Sequence, residues 1–287
     1  MKNIGVIVNS AKPRTGDVLP RLVAAASQLG VKLVSCQPTT IHLPGVESVE
    51  EGDFSSRVDA LIALGGDGTL LKAVRFINQN PMPVLGVNLG RLGFLTSVTE
   101  SELEKGIEAL VKGNYTTSAR TMLDARILNA NKVERGRIRA LNDMVVGWGQ
   151  STRIVTLDVS INDEPVTSYR CDGIIVSTPT GSTGHSLSSG GPILHPAAEA
   201  LILNVICPHT LSARPLVVPD DVQIKIVVRQ TGKQLLLSVD GQDGESLCDG
   251  DSLVIKKSDH KFNLVHLPGY QYFSVLRKKL NWSGSSA

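Results

Sequence analysis

The hydrophobic period of the chain changes near residue 119, and that change constrains the fold more than any other feature. Before it, short apolar runs alternate with stretches of helical spacing. Asn3–Asn9 is apolar, a polar turn runs through Arg14–Gly16, Val18–Leu29 has helical spacing, and Val31–Ser35 is apolar again. Gly30 lies just past the helical stretch, where a residue free to adopt positive φ is common. Residues 37–56 show little periodicity and read as a loop. Ala60–Leu64 is the next strand, Thr69–Asn78 has helical spacing, Pro83–Asn88 is a further strand, and Glu100–Lys112 is a helix with acidic residues near its start. Strands alternating with helices imply a parallel sheet with helices on its faces.

Beyond residue 119, Val155, Leu157, Val159 and Ile161 alternate with Thr156, Asp158 and Ser160, the period-two signature of a half-buried strand. Val222, Ile224, Ile226 and Val228 repeat it, as does the short run Leu253–Ile255. Turn formers at Asn162–Asp163, Pro219–Asp221 and Gly241–Gly244 separate the strands. In Tyr270–Leu280, Phe273, Leu276 and Leu280 share one helical face, with Arg277, Lys278 and Lys279 near the C-terminal end, where cations suit the helix dipole. The expectation is an α/β domain with a Rossmann-like parallel sheet at 1–118, a β-rich domain at 119–268, and a C-terminal helix at 269–287 that packs back on the first domain. A chain of 287 residues is long enough for two ordinary domains.

Composition removes several function classes. Basic residues number 29 and acidic residues 27, so a formal charge of +2 argues against a dedicated nucleic-acid binder. No apolar run is long enough to span a membrane, and Met1–Ser10 lacks the apolar core of a signal peptide, so the expected location is the cytoplasm. Cys36, Cys171, Cys207 and Cys248 are widely separated and form no CxxC pair. They read as buried thiols rather than disulfides or a zinc site. The six histidines include no HExxH arrangement.

Two segments carry chemistry. Leu64-Gly65-Gly66-Asp67-Gly68-Thr69 stands between a predicted strand and a predicted helix. Glycines there let the backbone approach a phosphate closely and adopt positive φ at little cost. The free N–H groups opening the helix favour an anion, at the crevice end of an open α/β sheet. The pattern is neither GxGxxG nor GxxxxGK[ST], so neither of those motifs is claimed from it. A tight turn with a structural aspartate is the competing reading. The second segment runs from Asp172 through Ser177-Thr178-Pro179-Thr180-Gly181-Ser182-Thr183-Gly184-His185-Ser186 to Ser188-Ser189-Gly190-Gly191-Pro192. An apolar strand leads straight into hydroxyls and glycines, offering many donors with little bulk, as a ribose or pyrophosphate would require. A Ser/Gly surface loop is the bland alternative.

GGDG alone also fits diacylglycerol-type kinases and phosphofructokinases. GGDG followed about 110 residues later by STPTGST is far more specific. Together with Gly90-Arg91-Leu92-Gly93-Phe94-Leu95, Asn142-Asp143, Pro208–Pro219, Asp240-Gly241-Gln242 and Tyr272–Trp282, it resembles the NAD kinase family. The resemblance covers nearly the whole chain from residue 60 onward.

That resemblance implies an α/β domain, a β-rich domain and a substrate crevice between them. It implies transfer of the terminal phosphoryl of ATP, or of polyphosphate in some members, to the 2′-hydroxyl of the adenosine ribose of NAD. It further implies a divalent ion, usually magnesium, and a homodimer or homotetramer. By residue, Asp67 matches the catalytic aspartate, with Gly66 and Gly68 beside it in the substrate turn. Phosphoryl transfer asks mainly for positioning and charge neutralisation, and aspartates are weak bases towards a sugar hydroxyl. The role implied is to orient that hydroxyl and accept its proton late. Asn142 and Asp143 match a pair that holds the dinucleotide, where the family more often has glutamate second. Arg170 and Asp172 match positions close to substrate. Thr183, Gly184, His185, Ser186, Leu187 and Ser188 match the loop around adenine and ribose. Gln242 matches a further binding position, and Phe94 packs on the adenine. Lys72 and Arg153 are either binding cations or surface charges. The family usually reads Thr-Ala-Tyr-Ser where this chain has Thr183-Gly184-His185-Ser186; histidine still stacks and donates, but is smaller than tyrosine. The competing functional classes are a lipid kinase, which would be expected to show an apolar membrane patch, and a non-catalytic dinucleotide sensor.

Overall fold

A computed structural model describes residues 1–36, 44–77, 81–90, 93–147, 154–229 and 234–282, except the side chain of Asp243. The chain divides into two compact units, Met1–Ala119 with Phe262–Ala287, and Arg120–Lys261.

In the first unit the elements run β1 (Asn3–Val8), α1 (Thr15–Gln28), β2 (Lys32–Ser35), β3 (Glu47–Ser48), α2 (Glu51–Arg57), β4 (Ala60–Gly65), α3 (Asp67–Ala73), β5 (Pro83–Asn88), β6 (Val98–Thr99) and α4 (Leu103–Lys112). The strands are parallel in the order β5-β4-β1-β2-β3, with β6 also parallel to β5. Strands β1, β4 and β5 are apolar on both faces because both faces are covered. Ile4, Val6, Val8, Ile62 and Leu64 pack on α1 and α4 through Leu22, Leu103 and Ile107. On the opposite face Gly5 meets α2, where an added Cβ would lie 2.7 Å from the Phe54 ring, and Gly86 meets Leu70 of α3 at 2.6 Å.

The expected loop at 37–56 is corrected by β3 and α2 within its described part. Phe54 is the only large apolar residue of α2, so no period marks the helix. Its ring is fully buried and meets Phe76 edge-on at 5.7 Å, so one buried side chain anchors the segment. The helix expected at Glu100–Lys112 opens with a 3₁₀ turn, Glu100–Glu102, under a Thr99/Glu102 capping box. That box is the reason for acidic residues at its start.

The second unit holds β7 (Thr116–Leu128, entering from the first), β8 (Glu134–Ala140), β9 (Asp143–Gly147), β10 (Val155–Ile161), β11 (Glu164–Cys171), β12 (Gly173–Ser177), α5 (His185–Ser188), β13 (Ala200–Ile206), β14 (Leu216–Pro219), β15 (Ile224–Val228), β16 (Leu235–Val239), β17 (Gln242–Leu247) and β18 (Ser252–His266). Strands β11-β10-β15-β18 are antiparallel neighbours, β7 pairs with β8, and a six-stranded antiparallel sheet runs β14-β13-β12-β9-β16-β17. One core joins Val155, Leu157 and Val159 to Ile224, Ile226 and Val228, and to Ile174 and Val176. The run Leu253–Ile255 is only the start of the 15-residue β18. Lys256–Lys261 interrupts its apolar pattern and conceals the length. The turn expected over Gly241–Gly244 is confined to Asp240–Gly241 (φ 53° and 69°), because Gly244 already belongs to β17.

From Phe262, β18 lies in the first unit, where Asn263 and Leu264 pair parallel with Pro83 and Val84. Helix α6 (Tyr272–Leu280) belongs to the same unit. It buries Leu276, but Phe273 is 60% exposed, so the apolar face is narrower than its spacing suggests. Among the described residues no helix is long and apolar enough to cross a membrane. Cys171 is buried, whereas Cys207 and Cys248 are exposed just beyond the ends of β13 and β17, against the expectation of buried thiols.

Candidate active site

In the first unit the carboxyl ends of β1, β4 and β5 lie side by side. The Asn9 N–H donates to Leu64 O at 3.0 Å, and the Leu89 N–H to Gly65 O at 2.9 Å. Gly65 is required sterically, since a Cβ there would collide with Thr69 Oγ1. Gly66 is extended (φ −176°, ψ −169°), so of the two uses of glycine in this turn, positive φ is not the one made at this residue. An added Cβ would meet nothing within 4 Å at Gly66 or Gly68, so the backbone there is open to close approach.

Asp67 opens α3, and its carboxylate is held from four directions. Oδ2 accepts the Phe94 N–H at 2.7 Å, while Oδ1 accepts the Leu95 and Thr96 N–H groups and the Thr96 hydroxyl, each at 3.1 Å. Thr96 Oγ1 also accepts from Asn88 Nδ2 at 2.9 Å, tying the loop to the end of β5. Gly93 makes room for this clamp, because a Cβ there would overlap the Asp67 carboxylate. Glycine at that place was the sequence's only signal for it. The half-buried Phe94 ring carries Lys279 Nζ of α6 at 5.4 Å from its centroid. Lys72 is exposed in the last turn of α3. A cleft of about 510 Å³, lined by Arg14, Arg21, Asn88, Gly90 and Glu100 among others, was not anticipated. Its two arginines are paired with Glu100 and Glu104.

In the second unit the organiser is Asp240, which the sequence marked only as a neighbour of Gln242. Its carboxylate accepts the backbone N–H groups of Leu141, Asn142 and Asp143 at 2.9, 2.7 and 3.2 Å. Asn142 Oδ1 is buried without a hydrogen-bond partner among the described residues. Asp143 is buried, and burial, reinforced by the charge of Asp240, pushes its carboxyl up to about 7. Gly184 faces it: an added Cβ would lie 3.9 Å from Asp143 Oδ2, but only 3.3 Å from the carbonyl oxygen of Gly181, so the fit is tight.

The hydroxyl-rich loop is less available than its composition suggested. Thr178 Oγ1 donates to Leu141 O at 2.6 Å and accepts the Gly181 N–H at 3.1 Å. Ser182 Oγ donates to Pro179 O at 2.7 Å and accepts the Leu194 N–H at 3.0 Å. Ser177 Oγ donates to Thr178 O at 3.0 Å. These three hydroxyls are taken up by backbone groups, those of the loop itself and, for Thr178, the carbonyl of Leu141, as short polar side chains in turns commonly are. Thr180 Oγ1 and Ser186 Oγ are buried without partners among the described residues. Thr183 makes a long contact to Thr180 O (3.4 Å), Leu187 is half-buried, and His185 and Ser188 are exposed. Asn204, missed by sequence reasoning, donates from Nδ2 to Ser186 O and Ser189 O, both at 3.1 Å, and so fixes the turn.

Arg170 is exposed at the end of β11 and Asp172 is half-buried. The Cys207 thiol hydrogen-bonds to Asp172, which raises its pKa. Gln242 is half-buried at the start of β17, and Arg153 lies outside the described residues. The first unit thus brings Asp67 and Phe94 into contact beside Gly66 and Gly68, and the second brings Asn142, Asp143 and Gly184 together. Among the described residues no three His, Cys, Asp or Glu side chains gather to hold a metal ion.

The family model described as the ATP-NAD kinase N-terminal domain matches residues 4–115, and that for the ATP-NAD kinase C-terminal domain matches residues 141–267. An NAD kinase of Koribacter versatilis is 39% identical over 98% of this chain and 99% of its own length. One of Syntrophotalea carbinolica is 42% identical over the same shares. One of Gemmatimonas aurantiaca is 43% identical over 84% of each chain. Among solved structures, a yeast NADH kinase complexed with NADH matches with a TM-score of 0.92 at 26% identity, covering 100% of this chain and 89% of that one. An NAD kinase from Archaeoglobus fulgidus in complex with ATP shares the fold, with a TM-score of 0.76 at 24% identity over 98% of this chain and 100% of that one.

Proposed function

This chain belongs to the NAD kinase family and is a phosphotransferase acting on NAD, and on that footing we propose which of its residues do the chemistry. The 2′-hydroxyl of the adenosine ribose attacks the terminal phosphorus of ATP. A new O–P bond forms, the bond from that phosphorus to the bridging oxygen breaks, ADP leaves, and the hydroxyl proton passes to Asp67. The observation that carries this assignment is the Asp67 clamp. Oδ1 accepts three hydrogen bonds while Oδ2 accepts only that of Phe94, so Oδ2 is the oxygen with acceptor capacity left for a substrate hydroxyl. A carboxylate fixed in direction contributes orientation first and proton acceptance late, which suits a transfer governed by positioning.

The dinucleotide is assigned to Asn142, Asp143, Arg170, Asp172, Thr183–Ser188 and Gln242, with Phe94 against adenine and Lys72 or Arg153 near phosphate. Support comes from the buried, unpartnered oxygens of Asn142 and Ser186, since buried acceptors are normally satisfied and a ribose or amide would satisfy them. Magnesium is assigned to the donor, which enters as its magnesium complex. No protein cluster among the described residues fits a resident ion, and magnesium commonly rides on substrate phosphates. We further assign the functional divisions 1–118, 119–268 and 269–287, a cytoplasmic location, a homodimer or homotetramer, and no nucleic-acid or membrane partner. Exposed Leu211, Leu216 and Val217 offer apolar surface for a subunit contact. The lipid-kinase and sensor alternatives find no support, since both family models describe ATP-NAD kinase domains.

The test is a purified-protein assay with NAD or NADH and ATP or polyphosphate as varied pairs, read by NADP(H) formation, on wild type and Asp67→Asn. ATP with NAD should be productive. Turnover of the folded variant should fall on the order of 10²–10⁴-fold with NAD affinity kept. The amide cannot accept on both sides of the clamp, so its melting temperature should fall as well. Rates are therefore normalised to folded protein. Turnover within threefold of wild type would remove Asp67 from the mechanism.

A further inference from the structure

Two contacts link the C-terminal helix to Asp67 without leaving the first unit. Leu276 is buried and anchors α6. Lys279, three residues later, sets its ammonium 5.4 Å from the centroid of the Phe94 ring. The backbone N–H of that same Phe94 makes the shortest bond to the Asp67 carboxylate, 2.7 Å to Oδ2. Gly93 on the other side of Phe94 has no room for a side chain against the carboxylate, so the loop cannot shift without disturbing Asp67. A cation over an aromatic face within about 6 Å is attractive, and it constrains where the ring lies.

We propose that Lys279 is a positioning residue for phosphoryl transfer: through the Phe94 ring it fixes the loop that aims Asp67. The inference rests on the reading of Asp67 as the proton-accepting group. Lys279 itself touches neither substrate in this scheme. Its effect is on the direction of Oδ2, and Oδ2 matters only as the hydroxyl reacts. The loss on removing Lys279 should therefore appear mainly in kcat, with the Michaelis constant for MgATP left in place and that for NAD raised by less than kcat falls, since the same Phe94 ring is assigned to adenine.

The experiment compares Lys279→Met, Lys279→Arg, Phe94→Leu and the Phe94→Leu/Lys279→Met double variant with wild type, in kcat, both Michaelis constants and melting temperature. Methionine keeps much of the length and packing without the charge, so K279M should lower kcat about threefold, with the Michaelis constant for MgATP within twofold and that for NAD changed by less than kcat. Arginine keeps a cation for the ring and should restore kcat. On the F94L background, K279M should change kcat no further, because the ring through which it acts is gone. Overturning results are an unchanged kcat in K279M, equal losses in K279M and K279R, or an undiminished K279M effect on the F94L background. A raised Michaelis constant for MgATP with unchanged kcat would also overturn it, making Lys279 a donor contact. If instead D67N retains full turnover, the assignment of Asp67 fails independently. A dead D67N with a normal K279M sinks the helix coupling alone.

Discussion

Burial pushes the Asp143 carboxyl up to about 7, with the negative charge of Asp240 adding to the effect. An unfolded aspartate titrates near 4, so between about pH 4 and 7 the folded chain holds a proton that the unfolded chain has released. Stability must then fall as pH rises across that window, by at most about 1.4 kcal/mol per pH unit from this group, and the loss is complete above pH 7. Asp143→Asn removes the titration. The melting temperature of wild type relative to D143N should fall from pH 5 to pH 8, with D143N the more stable at pH 8. Parallel curves for the two proteins would show that Asp143 ionises freely. Little of this was legible locally. Asn142-Asp143 stood out only by resemblance, because Asp240, which holds their backbone, lies 97 residues away. The same separation hid the state of Asp67, whose partners Phe94–Thr96 lie 27 to 29 residues further on. A residue's identity can be read from a motif, but its hydrogen-bond partners depend on the fold.

At the scale of elements, the strand–turn–helix around Asp67 was legible because strand, glycines and helix are contiguous in sequence. Which glycine matters was not. Gly66 is extended and faces open space, so Gly66→Ala should fold normally, and any loss of turnover would report on ligand approach to the turn. Gly93 packs against the Asp67 carboxylate, so Gly93→Ala should lower the melting temperature and turnover together, with roughly 1–3 kcal/mol of overpacking. Kinetics and thermal melts on the two variants check this; a G93A protein with wild-type stability and rate would mean that the clamp is not needed. The hydroxyl-rich loop shows the complementary limit. Its composition advertised donors, yet Thr178 donates to the carbonyl of Leu141 and Ser182 to that of Pro179. Composition counts polar groups, whereas availability depends on which remain after the turn has satisfied itself. Helix α2 was missed for a related reason, since Phe54 alone anchors it and one residue has no period.

Across the whole molecule, the change of hydrophobic period corresponds to two kinds of core. Parallel strands covered on both faces fill the first unit, and antiparallel strands, alternating in β10 and β15 and fully buried in β9 and β12, enclose the second. The fold class was legible where the antiparallel strands are half-exposed, as β10 and β15 are; β9 and β12 are buried along their length like the parallel strands and carry no such signal. The residues assigned to chemistry lie in the first unit and most of those assigned to the dinucleotide in the second, so binding and turnover should respond to different substitutions. Asn142 provides the cleanest case. Its backbone N–H and carbonyl are bonded to Asp240 and Thr178, while its side-chain oxygen is buried without a partner among the described residues. Asn142→Ala should therefore leave the melting temperature of the free protein within about 2 °C of wild type. With NAD at about a hundred times its Kd, wild type should gain about 2.7 kcal/mol, or roughly 5–10 °C. If Asn142 accepts a hydrogen bond from the dinucleotide, N142A at the same NAD concentration should lose about a third of that gain, since one hydrogen bond is worth about 1 kcal/mol. D67N should keep the gain nearly whole while losing turnover. Thermal melts of the three proteins with and without NAD separate the roles. A full NAD-induced shift in N142A would place the dinucleotide elsewhere, and its loss in D67N would mean that Asp67 serves binding rather than transfer.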